Sequence, residues 1–152
     1  GWYYECFDAG FRILKNISMN IKVGGPGIIL GYENYLYQKV FEIWRKREIK
    51  PDFISAYSYG YVTIAKENVV YAKKSLDSRY TLHQLEAMKE AMREADFSVK
   101  EVYVSEWSFT LSNRNVFNDS CGMGAYVMKN CIDAVGKQDM LTYWHATDLF
   151  SE

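Results

Sequence analysis

The sequence predicts an α/β fold built on a parallel sheet, and three observations support this prediction. Stretches in which apolar side chains recur every three or four residues, as in helices, alternate with short runs of β-branched and aromatic residues. The order is a helix, then a strand and a helix three times, then a strand, which implies parallel strands joined by helical crossovers. The length of 152 residues and the hydrophobic fraction of 49% suffice for one domain with a real core.

The first half of the chain is expected to contain two helices and two strands. Apolar residues recur at helical spacing over residues 2–17 and again over residues 32–47. A short strand is expected at residues 21–24, where glycines and a proline would stop it, and a second strand at residues 53–59. The stretch that follows, up to residue 76, is expected to be irregular.

The second half repeats the alternation. A helix is expected over residues 77–95, because its leucines and methionines fall on one face, and a third strand over residues 99–106. A polar loop over residues 111–118 leads to a helix at about residues 119–135. The fourth strand is expected at residues 140–146.

Two connections, residues 57–76 and 107–118, are rich in polar and aromatic residues, and both follow strands. In a barrel both would lie at the carboxyl ends of the strands, where active sites are built, and four strands would supply half of an eight-stranded barrel. The alternative is an open, flavodoxin-like sheet, which usually has a glycine-rich phosphate loop after its first strand. Residues 24–27 are not that loop, because their spacing differs and Pro26 lacks a backbone N–H.

The composition narrows the classes of partner. A formal net charge of -1 provides no electrostatic case for nucleic acid or an anionic membrane, and no apolar run approaches the roughly 20 residues of a membrane helix. The aromatic fraction of 16% suits carbohydrate or peptide surfaces, because tyrosine and tryptophan combine an apolar body with a polar tip. We therefore expect neither direct nucleic-acid contact nor membrane contact by this segment.

The cysteines and histidines predict neither a disulfide framework nor a metal site. Cys121 and Cys131, if they share a helix, lie about 15 Å apart along its axis, which is too far for a bridge. With Cys6, they are expected to be reduced, partly buried thiols of a cytoplasmic protein that needs no cofactor. His83 and His145 have no metal-ligand spacing with the cysteines. Because the chain opens on Gly1 and three aromatic residues, we expect it to be part of a longer protein.

Glu106 is the strongest candidate for a catalytic residue. It ends the apolar run of the third strand and stands beside Trp107. A carboxylate at the end of a buried strand is energetically costly unless it is solvated or paired, and catalytic groups occupy this position in barrel enzymes. The neighbouring tryptophan suits a sugar, whose C–H faces stack on aromatic rings. The alternative is a glutamate that simply ends a strand and faces water.

The succession of short segments resembles glycoside hydrolase family 39, the β-xylosidase and α-iduronidase group of retaining (β/α)8 barrels. The resemblance runs in order from about Tyr3 to Glu152. The segments that carry it are residues 22–26, 51–55, 104–108, 117–126 and 143–152.

The resemblance implies a TIM-barrel fold of which residues 1–152 form one partial domain, from the helix after the fourth strand through the eighth strand. It implies that Glu106, at the end of the seventh strand, is the nucleophile. The acid/base glutamate of the family lies in an Asn-Glu-Pro motif at the end of the fourth strand, and that motif does not occur in these 152 residues. The segment alone is therefore expected to be inactive.

The resemblance also implies a set of sugar-binding residues. The family typically carries a histidine and a tyrosine two residues apart after the sixth strand. Tyr57 and Tyr59 occupy these positions here, so the tyrosine is kept and the histidine is lost. Trp144 and Glu152 match an aromatic platform and a glycone-binding acid, although Trp144 is alternatively a packing residue and Glu152 a solvated one. We expect Trp107 to join Tyr57, Tyr59 and Trp144 around Glu106.

Two functions of different classes follow. One is a retaining, β-xylosidase-like glycoside hydrolase that hydrolyses O-glycosidic bonds. The alternative is a non-catalytic sugar-sensing domain of an AraC-type transcription regulator, a setting in which similar barrels occur. The expected partners are a xylose-like sugar and either the missing N-terminal half of the barrel or a second copy of the chain.

Overall fold

The computed structural model describes residues 1–31, 34–66, 69–112 and 115–145, and their helices and strands follow one another in a regular order. A single 3-10 turn, Val116–Asp119, precedes the last helix. The elements are α1 (Trp2–Ile17), β1 (Gly27–Ile29), α2 (Asn34–Lys46), β2 (Phe53–Ser58), β3 (Tyr61–Lys66), β4 (Val69–Lys74), α3 (Tyr80–Glu94), β5 (Glu101–Trp107), α4 (Cys121–Ala134) and β6 (Met140–Tyr143).

Four of the strands form one parallel sheet in the order β1-β2-β5-β6. Helices α2, α3 and α4 each lie in the chain between consecutive strands of this sheet. The other two strands, β3 and β4, form a separate antiparallel hairpin. The predicted alternation of helices and parallel strands is therefore confirmed.

The core lies between one face of the sheet and the helices. Ile54 and Ala56 of β2 and Val104 of β5 are completely buried against Phe41 and Met88, which α2 and α3 contribute. Along β2 and β5 these buried residues alternate with half-buried ones, as the two-residue period of a strand requires. The sheet thus has a helix-covered face and a second face, opposite the helices, on which the half-buried side chains lie.

The prediction of a strand at residues 21–24 is wrong, since the first strand begins at Gly27. Residues before it do approach the start of β2: the Asp52 carboxylate accepts a hydrogen bond from the Val23 N–H at 2.8 Å, and the Asp52 N–H donates to the Val23 carbonyl at 2.8 Å. A side chain thus takes the place of a backbone partner there, and the regular ladder forms only beyond Pro26. The glycines precede the strand instead of ending it.

The prediction that the stretch after residue 59, up to residue 76, is irregular is also wrong. The hairpin of β3 and β4 pairs regularly from Tyr61 opposite Lys74 to Lys66 opposite Val69. The sequence does indicate a hairpin here, because residues 61–64 and 69–71 are rich in valine, isoleucine, threonine and tyrosine and are separated by a short polar segment.

The cysteines are free, as predicted, but they are exposed and not partly buried. Cys121 and Cys131 lie on α4, whose buried positions are Met123, Tyr126 and Asn130. Helical geometry places both cysteines outside that buried stripe.

Candidate active site

A β-bulge in β5 sets the direction of Glu106. Ala56 of β2 is paired with Val104, but the next residue, Tyr57, is paired with Glu106, so Ser105 is an extra residue in β5. A strand without this insertion would direct Glu106 toward the same face as Val102 and Val104, beneath the helices. Bulges redirect side chains in this way and are common beside active sites. The bulge therefore brings Glu106 to the face opposite the helices.

The carboxylate of Glu106 is partly buried. It has no hydrogen-bond or ion-pair partner among the residues that the structure describes. Burial raises the pKa of Glu106 above its ordinary value. A partly buried carboxyl group with a raised pKa at the end of a strand is a candidate for a functional group.

Tyr57 is the neighbour of Glu106 on β2. The two residues are directly in register, and residues in register on parallel strands extend to the same face. The ring of Tyr57 lies over Gly27 of β1, where an added Cβ would come within 2.6 Å of the Tyr57 hydroxyl oxygen. The absence of a side chain at Gly27 thus makes room for the Tyr57 ring, which extends from β2 over β1.

Trp144 follows β6 on the other side of Glu106. Its N–H donates to the Trp107 carbonyl at 2.8 Å, which fixes its backbone to the end of β5. Its side chain is 46% exposed, and its ring makes an edge contact with that of His145 at a centroid distance of 5.3 Å. An exposed aromatic face therefore lies one strand away from the carboxylate.

Trp107 lies on the other side of the sheet. Its side chain is 0% exposed and packs against Tyr126 of α4 and Tyr143 of β6, with centroid distances of 5.9 and 5.3 Å. Adjacent residues of a strand point to opposite faces, so the bulge that turns Glu106 toward the open face turns Trp107 into the core. Its ring offers no surface to a ligand, and its place in the site is as a support beneath β5.

Of the remaining two predicted residues, the structure describes Tyr59 but not Glu152. Tyr59 is half-buried and follows β2 by one residue, and its carbonyl lies 3.5 Å from the Lys74 ammonium. Glu152 lies outside the described residues. The structure therefore places Glu106, Tyr57, Tyr59 and Trp144 at one end of the sheet, with Trp107 buried beneath them.

Buried polar contacts fix the ends of the two central strands. The Ser108 N–H donates to the Ser58 carbonyl at 3.0 Å, and the Ser58 hydroxyl is hydrogen-bonded to the Thr81 hydroxyl at 2.8 Å inside the core. Hydrogen-bonded hydroxyls in an apolar interior restrict the backbone to one arrangement. Both predicted loops thus leave the sheet side by side at its carboxyl end.

Sequence reasoning missed one functional candidate, Lys74. Its residue type is unremarkable in a stretch expected to be irregular, and only the hairpin brings it back to the end of the sheet, where it contacts Phe109. If the hairpin had been predicted, Lys74 would have been expected beside Tyr61, its pairing partner, but its contact with Phe109 would not have been expected.

The described residues contain neither a membrane-spanning helix nor a cluster of metal-binding side chains. Within them, no helix has the length and apolar character needed to cross a membrane. In the same ranges, no three His, Cys, Asp or Glu side chains are grouped so as to hold a metal ion.

Known proteins resemble the chain over nearly its whole length. The model of glycosyl hydrolases family 39 matches residues 2–152. The chain is 22% identical over 153 residues to a β-xylosidase of Geobacillus stearothermophilus and 23% identical over 151 residues to a β-xylosidase of Caldicellulosiruptor saccharolyticus, with 99% of this chain covered in both comparisons. It spans about 30% of the length of these curated relatives.

Solved structures share the fold. A monomeric β-xylosidase from Caulobacter crescentus matches with a TM-score of 0.76 at 23% identity, covering 97% of this chain and 30% of that one. An enzyme of the same family from Xanthomonas axonopodis pv. citri matches with a TM-score of 0.77 at 21% identity, covering 99% and 29%. These matches confirm the predicted α/β fold of the (β/α)8 barrel type, of which this chain is a part.

Proposed function

Because the chain belongs to glycoside hydrolase family 39, we propose that it is part of a retaining, β-xylosidase-like glycoside hydrolase in which Glu106 is the nucleophile. The observation that carries the proposal is the bulge at Ser105, which directs a carboxylate toward the open face of the sheet beside Tyr57. The β-xylosidases among the relatives support the class of substrate.

The proposed reaction has two steps. A carboxylate oxygen of Glu106 attacks the anomeric carbon while the bond from that carbon to the leaving oxygen breaks, and an acid donates a proton to the leaving oxygen. Water then attacks the anomeric carbon while its bond to the Glu106 oxygen breaks, and the conjugate base of the acid takes the proton of the water. The second inversion returns the configuration to that of the substrate. The acid is proposed to be a glutamate outside these 152 residues, about 5 Å from Glu106 as retaining enzymes require.

The aromatic residues around Glu106 are proposed to bind the sugar. The exposed ring of Trp144 is suited to stack on the C–H face of a pyranose, while the hydroxyls of Tyr57 and Tyr59 are suited to hydrogen-bond its oxygens. Glu152 is proposed to bind the glycone, and Trp107 to hold β5 rigid from the core. A neutral sugar fits this set better than an anion, because Glu106 would repel a negative charge.

The nucleophile is tested in the full-length protein with a dinitrophenyl β-xyloside, whose leaving group needs little acid assistance. Glu106→Ala should lower kcat/KM by about 10³- to 10⁶-fold, the range expected when a residue that forms a covalent bond is lost. Added azide should restore turnover and form the α-xylosyl azide, because a small anion then attacks from the side that the carboxylate occupied.

Glu101→Ala is the matched control. Glu101 lies at the opposite end of the same strand and is ion-paired with Lys22 at 2.6 Å, so its removal should leave the rate nearly unchanged. An equal loss in both variants, or a β-configured azide product, would show that Glu106 is not the nucleophile.

One observation favours the alternative of a non-catalytic sugar sensor. Tyr57 occupies the position at which the family typically has a histidine, so the site departs from the catalytic pattern beside Glu106 itself. A full-length protein that binds xylose, by a change in tryptophan fluorescence, yet does not turn over the dinitrophenyl xyloside would identify the sensor.

A further inference from the structure

Lys74, the last residue of β4, lies between two segments that are distant in sequence. Its ammonium donates a hydrogen bond to the Phe109 carbonyl and lies 3.5 Å from the Tyr59 carbonyl oxygen. It also lies over the ring of Phe109, 3.5 Å from the centroid, and near that of Tyr61 at 4.9 Å. One cation thus contacts carbonyls and aromatic rings on both sides.

The backbone is shaped to receive this side chain. Gly60 has a φ of +60°, and a Cβ added there would come within 2.9 Å of the Lys74 nitrogen. The Gly60 carbonyl accepts a hydrogen bond from the Ser75 N–H at 2.8 Å, which closes the base of the hairpin around the ammonium. A side chain at residue 60 would displace it.

The two segments that Lys74 joins lead directly from the candidate site. Tyr59 is two residues beyond Tyr57, and Phe109 is three residues beyond Glu106. No carboxylate is paired with Lys74 among the described residues, and burial lowers the pKa of its ammonium to about 8. Its hydrogen bonds to carbonyls and its contacts with rings therefore hold it in place.

The hairpin does not depend on Lys74 for its attachment to the sheet. The buried Tyr80 hydroxyl lies 3.2 Å from the Leu30 carbonyl oxygen and 2.5 Å from the Tyr61 carbonyl oxygen, which already ties the start of β3 to the end of β1. The further contact that Lys74 provides runs from the hairpin to the segment after β5.

We propose that Lys74 is a positioning residue that joins the segments after β2 and β5 and thereby holds Tyr59 and Glu106 in the arrangement that binds the sugar. The inference rests on the proposed function. Lys74 itself does not touch the reacting atoms in this scheme.

The test uses the full-length protein with Lys74→Met, which keeps the length of the side chain and removes the charge. The KM for the aryl xyloside should rise about tenfold or more, as expected for the loss of a charged hydrogen bond, while kcat changes much less. Lys73→Met is the matched control, because Lys73 is its exposed neighbour in the same strand. Lys74→Arg keeps the charge in a larger group, so its KM should lie between those of the wild type and Lys74→Met.

The dependence of KM on pH distinguishes a role of the Lys74 charge in positioning from a role of its side chain in packing alone. Loss of the proton weakens the contacts to both carbonyls and both rings, so the KM of the wild type should rise above about pH 8. The titratable side chain that faces the ammonium among the described residues is the Tyr61 phenol; Phe109 and Gly60 contribute none. Lys74→Met should lack this rise. A KM equal to the wild-type value in Lys74→Met, or the same rise with pH in both proteins, would overturn the proposal.

Amide hydrogen exchange provides a readout that does not depend on activity. The N–H groups of Ser75 and Ser108, which bond to the Gly60 and Ser58 carbonyls, should exchange faster in Lys74→Met and not in Lys73→Met. Unchanged exchange in both variants would refute the positioning role. A wild type that neither binds nor hydrolyses the sugar would instead refute the proposed function, with the exchange result still deciding whether Lys74 joins the two segments.

Discussion

At the residue scale, the partial burial of Glu106 lowers the stability of the folded protein when the carboxyl group is ionised. A catalytic role would explain why a carboxyl group occupies this position. The side chain is drawn out of the core by one inserted residue and left without a partner among those described. Burial raises the pKa of Glu106, so the folded chain resists its ionisation more than the unfolded chain does. Groups of this kind are frequent at functional sites, where stability is given up for activity.

Replacement of Glu106 by glutamine should therefore stabilise the protein slightly at neutral pH while it abolishes activity. A carboxyl group whose folded pKa is raised favours the folded state below its unfolded pKa, and that advantage is lost as the pH rises through the folded pKa. The stability difference between Glu106→Gln and the wild type should thus grow between pH 4 and pH 7 in urea unfolding. A glutamine variant that is less stable at pH 7 than at pH 4, relative to the wild type, would contradict the raised pKa.

Gly31, after β1, lies against the hydroxyl group of Tyr80 at the start of α3, and its substitution tests this contact. It has a φ of +78°, and an added Cβ would lie 1.7 Å from the buried Tyr80 hydroxyl oxygen. Gly31→Ala should lower the free energy of unfolding by about 2–4 kcal/mol, since backbone strain adds to the displacement of a core tyrosine.

Gly136→Ala separates the two contributions. Gly136 has a similar φ of +72° with no atom within 4 Å of an added Cβ, so only the strain of about 1–2 kcal/mol is expected. Equal losses in the two variants, measured by urea unfolding, would mean that Tyr80 moves aside without cost.

At the scale of elements, Asp52 joins three segments at the beginning of β2. Its carboxylate accepts hydrogen bonds from the Val23 N–H and from the Lys15 ammonium of α1, each at 2.8 Å. Burial opposes ionisation of Asp52, but the bonds from Lys15 and Val23 outweigh it and lower its pKa. The contact positions α1 and the segment before β1 relative to the sheet.

Asp52→Ala should cost about 2–3 kcal/mol at pH 7, as for other hydrogen bonds to charged groups. A carboxyl with a lowered folded pKa stabilises the fold above its unfolded pKa of about 3.9, and the contribution is lost as the pH falls toward the folded value. The difference between variant and wild type in urea unfolding should therefore shrink at pH 3.

Asp133→Ala is the comparison for Asp52→Ala. Asp133 is paired with Lys129 and Arg79, whose side chains are 41% and 49% exposed, whereas that of Lys15 is 13% exposed. Ion pairs with exposed partners contribute little. If the two substitutions lower the free energy of unfolding equally, Asp52 contributes no more to stability than Asp133 does.

At the scale of the whole molecule, the chain exposes more surface than a compact domain of its size. Its accessible surface is 9757 Å², whereas the scaling for folded monomers predicts about 7,900 Å² for a protein of 17.7 kDa. The excess fits a sheet with one uncovered face, on which Ile29 and Met140 are 46% and 39% exposed. Strands β1 and β6 are its open edges.

Residues 1–152 produced alone should therefore associate and show no hydrolytic activity. Open strand edges and an uncovered apolar face favour pairing between copies. If the acid/base glutamate lies outside the segment, as proposed, the loss of general acid catalysis should lower the rate about 10²- to 10⁴-fold. Light scattering after size exclusion should detect a mass above 17.7 kDa, and co-expression of the upstream half should restore a single compact species. A monodisperse monomer that hydrolyses xylobiose would contradict both expectations.

Much of the architecture follows from the sequence by itself. Helices α1 to α4 and strands β2, β5 and β6 lie close to where periodicity predicts them, because each must bury one apolar face whatever its neighbours are. The position of Glu106 at the end of a strand follows likewise from the end of an apolar run. The hairpin was predictable in principle, since its strand-forming runs are local signals.

Only the tertiary structure decides the direction of side chains and the contacts between distant segments. The insertion at Ser105 exists only relative to the strand that pairs with β5, so the sequence of β5 alone did not reveal that Trp107 would be buried and Glu106 would lie on the open face. The contact of Lys74 with Phe109 spans 35 residues and depends on where the hairpin folds back. Local periodicity carries no information about such pairings, because their free energy arises only when the strands have come together.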